Sequence, residues 1–143
     1  MSSVEILADV ASRVFEDCAF LSLDPAETVA FDTHDALAST ITITADQQHV
    51  LKLVASRPLL VEAAANMLGV ESDDAEAFRS AEQAISELLN VVAGSLAARL
   101  YGTLRECALG LPQRADPQAP AGDEGVVVMM RTDGDAFLRL ELR

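Results

Sequence analysis

The chain has 143 residues, half of them hydrophobic, and 23 acidic against 10 basic side chains give it a net charge of −13. That length and apolar fraction suit one domain over residues 1–143, with a core that hides about two thirds of the unfolded chain's surface; the negative field argues against nucleic acid or an anionic membrane surface as partner. No apolar run approaches the roughly 20 residues of a membrane span, and Glu5, Asp9 and Glu16 stand where a secretory leader is basic and then unbroken apolar, so a cytoplasmic protein is expected.

In residues 4–18, Val4, Ile6, Leu7, Val10, Val14 and Phe15 fall near one helical face, with Glu5, Asp9, Ser12 and Glu16 largely opposite. This predicts a first amphipathic helix, which LDPAE breaks. The period then changes to alternation. Ile41 and Ile43 alternate with Thr40, Thr42 and Thr44, and Val50, Leu51, Leu53 and Val54 follow a polar ADQQ. Two antiparallel strands turning near Asp46 to Gln48 account for this.

Pro58 fits the first turn of a helix through PLLVEAAANML, which Gly69 closes. Ser72 or Asp73 is expected to cap the next helix, running from about Asp74 to Tyr101 and stopping at Gly102. TLRECALGL, halted by Pro112, reads as a short strand and QRADPQAPAGDEG as an exposed loop. GVVVMMR and DAFLRLELR read as a closing hairpin that turns at Asp133 and Gly134. Segregated strands and helices in this order predict an α+β fold, with helices packed on an antiparallel sheet.

Cys18 and Cys107 lie in apolar surroundings without CxxC or an adjacent His, and are expected to be buried thiols. A nucleophilic cysteine enzyme has little support, because no base stands near either in sequence. His34 and His49 are isolated, share no metal-ligand spacing, and are expected at the surface or at strand edges.

Advancing about 100° per residue along the long helix, Phe78, Ala81, Ile85, Leu88, Leu89, Val92, Leu96 and Leu100 form a core stripe. Ser80, Gln83, Glu87, Asn90 and Gly94 fall roughly opposite. Asn is a poor helix former and Gly costs roughly 1 kcal/mol relative to Ala, so both are odd choices in mid-helix. Glu87 and Asn90 are i, i+3 neighbours, with Cβ atoms about 5–6 Å apart. An ordinary solvated face is one reading, and a match to E-x2-N-x3-G arises by chance at about the few-per-cent level in a chain this long.

The context adds to the motif. The stretch from Glu87 to Gly94, preceded by VLKLVASRPLLVEAAANMLG and followed by LGLP, resembles the CheC/CheX/FliY family of chemotaxis phosphatases, CheX type above all. The family's pattern is Asp or Ser, three residues, Glu, two residues, Asn, and a Pro some 23 residues on. Glu87 and Asn90 match the Glu and the Asn, Pro112 lies 22 residues beyond Asn90, and Gly94 matches a small residue common at that place. Gln83 stands where the pattern has Asp or Ser.

The resemblance covers most of the chain and implies a CheX-like fold with a βααβ-type core, an N-terminal helix and a homodimer. It implies hydrolysis of the aspartyl phosphate on a CheY-like receiver domain. The receiver brings the phosphoryl group, Mg²⁺ and a lysine, so the chain needs no cofactor or metal of its own. Asn90 would hold the attacking water, Glu87 would pair with the receiver lysine, and Gln83, Gly94 and Pro112 would support docking. The alternative is a CheX-like module that binds receivers or dimerises without hydrolysis. Gln83 and the −13 charge lean that way, because receivers are often acidic.

Overall fold

The first helix begins at a capping box. In the computed structural model, which describes residues 2–26, 33–102, 107–119, 125–134 and 136–143, Ser2 Oγ accepts the Glu5 N–H at 3.2 Å and the Ser2 N–H donates to Glu5 Oε2 at 3.3 Å. Helix α1 (Ser3–Ala19) buries Leu7, Val10, Val14 and Phe15, while Val4 is exposed in its first turn. It ends at Phe20, whose φ of 53° lets its N–H and that of Leu21 return to the carbonyls of the last turn. The helix therefore ends ahead of LDPAE, the expected breaker, because Phe20 already closes it, and Asp24–Pro25 forms a two-residue strand, β1.

Strands β2 (Ala36–Thr44) and β3 (Gln48–Ser56) are the predicted antiparallel pair, with Ile41 opposite Leu51 and Thr40 opposite Lys52. Helix α2 (Arg57–Leu68) follows at once, with Pro58 in its first turn and Gly69 closing it at φ 72°. The predicted single helix from Asp74 is two helices, α3 (Ala75–Arg79) and α4 (Ala81–Tyr101), separated at Ser80 (φ −90°, ψ 1°). The cap of α3 is Asp74, whose Oδ1 accepts the Glu76 N–H at 2.9 Å, rather than Ser72 or Asp73.

The break moves Phe78 off the core stripe. Its ring is 58% exposed and lies 5.3 Å below the Arg57 guanidinium. Leu100, in the last turn of α4, is also exposed. Ala81, Ile85, Leu88, Leu89, Val92 and Leu96 are buried as the spacing predicts.

After α4, residues 103–106 of the expected TLRECALGL strand lie outside the described residues, and the strand seen is β4 (Ala108–Leu109). The expected QRADPQAPAGDEG loop starts instead as a strand. Gln113–Ala115, β5, pairs with Ala38–Thr40, and Ser39 Oγ donates to the Gln113 carbonyl at 3.0 Å. Strands β6 (Val126–Arg131) and β7 (Phe137–Leu142) form the predicted hairpin. The sheet runs β1-β6-β7-β3-β2-β4, with β5 also on β2, and all its pairings are antiparallel. The architecture is α+β.

The helices cover one face of the sheet. Ile41, Ile43, Leu51, Leu53, Leu138 and Leu140 meet Leu7, Phe15, Leu59, Leu60, Leu89 and Leu96 there in one core. On the other face Lys52 and Glu141 are register partners and nearly buried. Lys52 Nζ donates to the Asp116 carbonyl at 2.9 Å, and Arg139 pairs with Glu141 at 3.2 Å.

The edge of β6 away from β7 is partly covered. β1 pairs with Met130 and Arg131, and the Ala26 N–H reaches the Met129 carbonyl at 2.9 Å. Cys18 and Cys107 are free thiols and only half-buried, because each sits at the margin of the core rather than within it. His34 is exposed, and His49 lies near the start of β3 with Nδ1 3.1 Å from the Arg143 carbonyl. Among the described residues no helix is long and apolar enough to cross a membrane.

Candidate functional site

Helix α4 has its inner stripe locked into the core, so its outer face is presented on a rigid element. On that face Gln83, Glu87 and Asn90 are exposed and Gly94 is half-exposed. Helical geometry sets Glu87 and Asn90 about 60° apart around the axis and one turn apart along it. Glu87 Oε1 accepts the Gln83 Nε2–H at 3.1 Å. The Asn90 amide has no hydrogen-bond partner among the described residues.

Beside Glu87 runs a groove of about 70 Å³ between α2 and α4, lined by Ala64, Met67 and Leu68 from α2 and by Gln83, Ala84 and Glu87 from α4. On the strand side lies a larger hollow of about 330 Å³, lined by Leu37, Ser39, Gln83, Ser86, Arg114 and Pro117. Gln83 therefore stands on the ridge between the two. At the same end of α4, Arg114 Nη2 is ion-paired with Glu82 Oε2. Among the described residues, then, Glu82 is matched by a cation and Glu87 by a neutral amide only.

Gly94 is not there to relieve crowding within the chain. Among the described residues a Cβ added to it would meet only Leu109 Cδ1, at 3.8 Å, which is ordinary contact. Pro112 lies between β4 and β5, and Leu109 of β4 is the side chain that reaches Gly94. Its neighbour Leu111 is 83% exposed. The structure thus brings Gln83, Glu87, Asn90 and Gly94 onto one face of α4, while Pro112 stands on the chain between β4 and β5.

At the far end of α4, Asp9 of α1 accepts from Arg99 Nη1 at 2.8 Å and from Arg13 Nε at 3.0 Å. The bond from Arg99 first, then that from Arg13, holds the Asp9 carboxyl below its ordinary value of 3.8. Sequence reasoning did not find the α2 wall of the groove, Met67 and Leu68, because they read only as one more turn of helix. The Arg114–Glu82 pair was hidden for a similar reason: it links residues 32 positions apart.

The chain as a whole is α+β, an antiparallel sheet with helices on one face. It is similar over its whole length to CheX from Desulfovibrio desulfuricans, at 13% identity and a TM-score of 0.74, covering 99% of that chain. It is likewise similar to CheX from Vibrio vulnificus, at 18% identity and a TM-score of 0.73, covering 100% of this chain and 97% of that one.

The chain has the CheX/CheC fold. A third CheX-fold neighbour is a chain of the CheX–CheY–BeF3–Mg²⁺ complex from Borrelia burgdorferi, at 13% identity, a TM-score of 0.74, and coverage of 99% of this chain and 96% of that one. No family model and no curated protein matches the sequence. At such identities the CheX likeness is one of backbone architecture.

Proposed function

We propose that the chain hydrolyses the aspartyl phosphate of a CheY-like response-regulator receiver, in chemotaxis or another two-component pathway. The observation that carries this reading is the pair Glu87 and Asn90, open to solvent on one rigid helix face of a CheX fold, with the Asn90 amide uncommitted. The Borrelia complex in which a neighbour is held together with CheY, BeF3 and Mg²⁺ supports a receiver as partner.

In this reading Asn90 supplies one donor and one acceptor to a water lying in line with the phosphorus. The water oxygen bonds to phosphorus as the bond from phosphorus to the aspartyl oxygen breaks, and the products are phosphate and the receiver's free carboxylate. Phosphoryl transfer of this kind depends on positioning more than on an acid or base from the catalyst. Glu87 pairs with the receiver's lysine and sets the angle of approach. Mg²⁺ belongs to the receiver, and Gly94 allows its surface to come close to the helix.

A homodimer joined through sheet edges is part of the same proposal, with the part of β6 beyond β1 as one available edge. Gel filtration with light scattering tests it, and a monomer at all concentrations removes it. The second reading, a receiver-binding module without hydrolysis, is favoured by Gln83 in the place of Asp or Ser and by the net charge of −13.

The experiment is the decay of phosphorylated receiver domains from the same organism, with the wild type and with Asn90→Ala. Faster decay with the wild type, lost in the variant, supports catalysis. Equal decay with both, together with binding, leaves the non-catalytic module.

A further inference from the structure

The exposed face of α4 continues past Glu87 and Asn90. Val91 is the i+4 neighbour of Glu87 and the i−3 neighbour of Gly94, so it stands on the same side of the helix one turn on. Its side chain is 41% exposed. From it a second groove, of about 470 Å³, runs between α4 and α1. Val10 and Val14 of α1 and Val91 and Ala98 of α4 make its apolar walls, and Arg13, Asp17 and Arg99 supply its charges.

We infer that the docking surface extends into this α1/α4 groove, where an apolar side chain of the receiver seats against Val91 and a receiver carboxylate beside it pairs with Arg13; the inference rests on reading the Glu87 and Asn90 face as the receiver-docking surface.

Charge selects an acidic segment as the occupant. The chain carries −13 overall, and a field of that sign opposes a partner that is itself acidic. At the groove the charge is locally balanced, because the guanidiniums of Arg13 and Arg99 stand against the carboxylates of Asp9 and Asp17. Arg13 is the cation that can turn outward. Its side chain is 73% exposed, and Asp9, which accepts from it at 3.0 Å, also accepts from Arg99 at 2.8 Å. Asp9 therefore stays paired when Arg13 moves to a partner, and an arginine–carboxylate pair strengthens where docking displaces water.

The apolar part is independent of that pair. Val10 and Val14 are nearly buried, so the groove has a firm floor from which Val91 stands out. A partner side chain that covers Val91 removes apolar surface from water, a contribution that added salt does not screen.

The test uses CheY-like receiver domains of the same organism, activated with BeF3⁻ and Mg²⁺ for binding and phosphorylated for turnover. Val91→Gln is expected to weaken binding about tenfold at low and high salt alike. Arg13→Gln is expected to weaken it about fivefold in dilute buffer and less than about twofold at an ionic strength of roughly 0.5 M. Both should raise the half-saturating receiver concentration with little change in the saturated rate, at an unchanged melting temperature. Arg143→Gln removes the same charge on the sheet face away from the helices, since Leu142 before it belongs to the core, and should leave affinity nearly as it was. If Val91→Gln lowers the melting temperature, Arg13→Gln, on an exposed side chain, decides alone.

Wild-type affinity in a folded variant of either kind, or an equal loss in Arg143→Gln, overturns the inference. So does a change of oligomeric state in Val91→Gln with receiver binding intact, which gives the groove to a second copy of the chain. A wild type that speeds receiver decay through Asn90 while both groove variants bind normally keeps the phosphatase reading and removes this one. A wild type that binds receivers without speeding their decay, while the groove variants bind more weakly, does the reverse. A chain that binds no activated receiver removes both.

Discussion

On the inner face of α4, Ile85, Leu88, Leu89, Val92 and Leu96 are each at most 3% exposed, whereas on the outer face Gln83, Glu87 and Asn90 lie open and Gly94 offers no side chain at all. The inner residues are what the fold needs: side chains of the right volume, each worth about 1.5–3 kcal/mol by its burial. The outer ones include two poor helix formers that no contact among the described residues requires. Stability and the proposed activity are thus carried by opposite sides of the same turns, and substitutions on the two sides should fail in different assays.

The largest effect is expected inside. Leu89→Ala leaves a cavity under α4 and should lower stability by about 2–5 kcal/mol, measured by equilibrium denaturation. A loss below 1 kcal/mol would show that the inner face is less committed than its burial indicates.

Next comes Asn90→Ala, which should cut receiver dephosphorylation about 10²-fold while leaving the melting temperature unchanged or slightly raised, since Ala is the better helix former. A fall in melting temperature would make Asn90 part of the fold and blur the contrast.

Gly94→Ala sharpens it further. The added methyl meets Leu109 at ordinary distance, so stability should rise by up to about 1 kcal/mol while receiver affinity falls. Higher affinity would break the assignment of this face to docking.

The smallest effect lies where α1 joins the end of α4. The folded Asp9 carboxyl is held below 3.8 by Arg99 and Arg13, so the stability it adds is fully present above the unfolded value. It is lost as pH falls through the depressed folded value. Asp9→Asn should therefore flatten the acid limb of an unfolding curve slightly and leave the neutral region with only a small loss.

The parts legible in the sequence were those with a period long enough to count. The alternation of Ile41 and Ile43 with threonines gave β2, and the pairing of GVVVMMR with the last strand gave the hairpin. Pro58 and Gly69 bracketed α2 because each has a specific backbone reason to stand where it does.

Two-residue β1 and three-residue β5 carry no period, and only their partners Met130 and Ser39 make them strands. The break at Ser80 was hidden because the Ser80 N–H still bonds Glu76 and its carbonyl still accepts from Ala84, so the helical spacing passes straight through. At the site, helical arithmetic sufficed for Gln83, Glu87, Asn90 and Gly94. The wall made by Met67 and Leu68 could not be seen before α2 was packed beside α4.

The empty place at Gly94 also amounts to a ruler. Because the chain itself tolerates one methyl there, stepping position 94 through Ala, Ser and Val raises the helix surface in increments of a single heavy atom. The step at which a bound receiver is expelled would measure the clearance between the two proteins before any complex is crystallised.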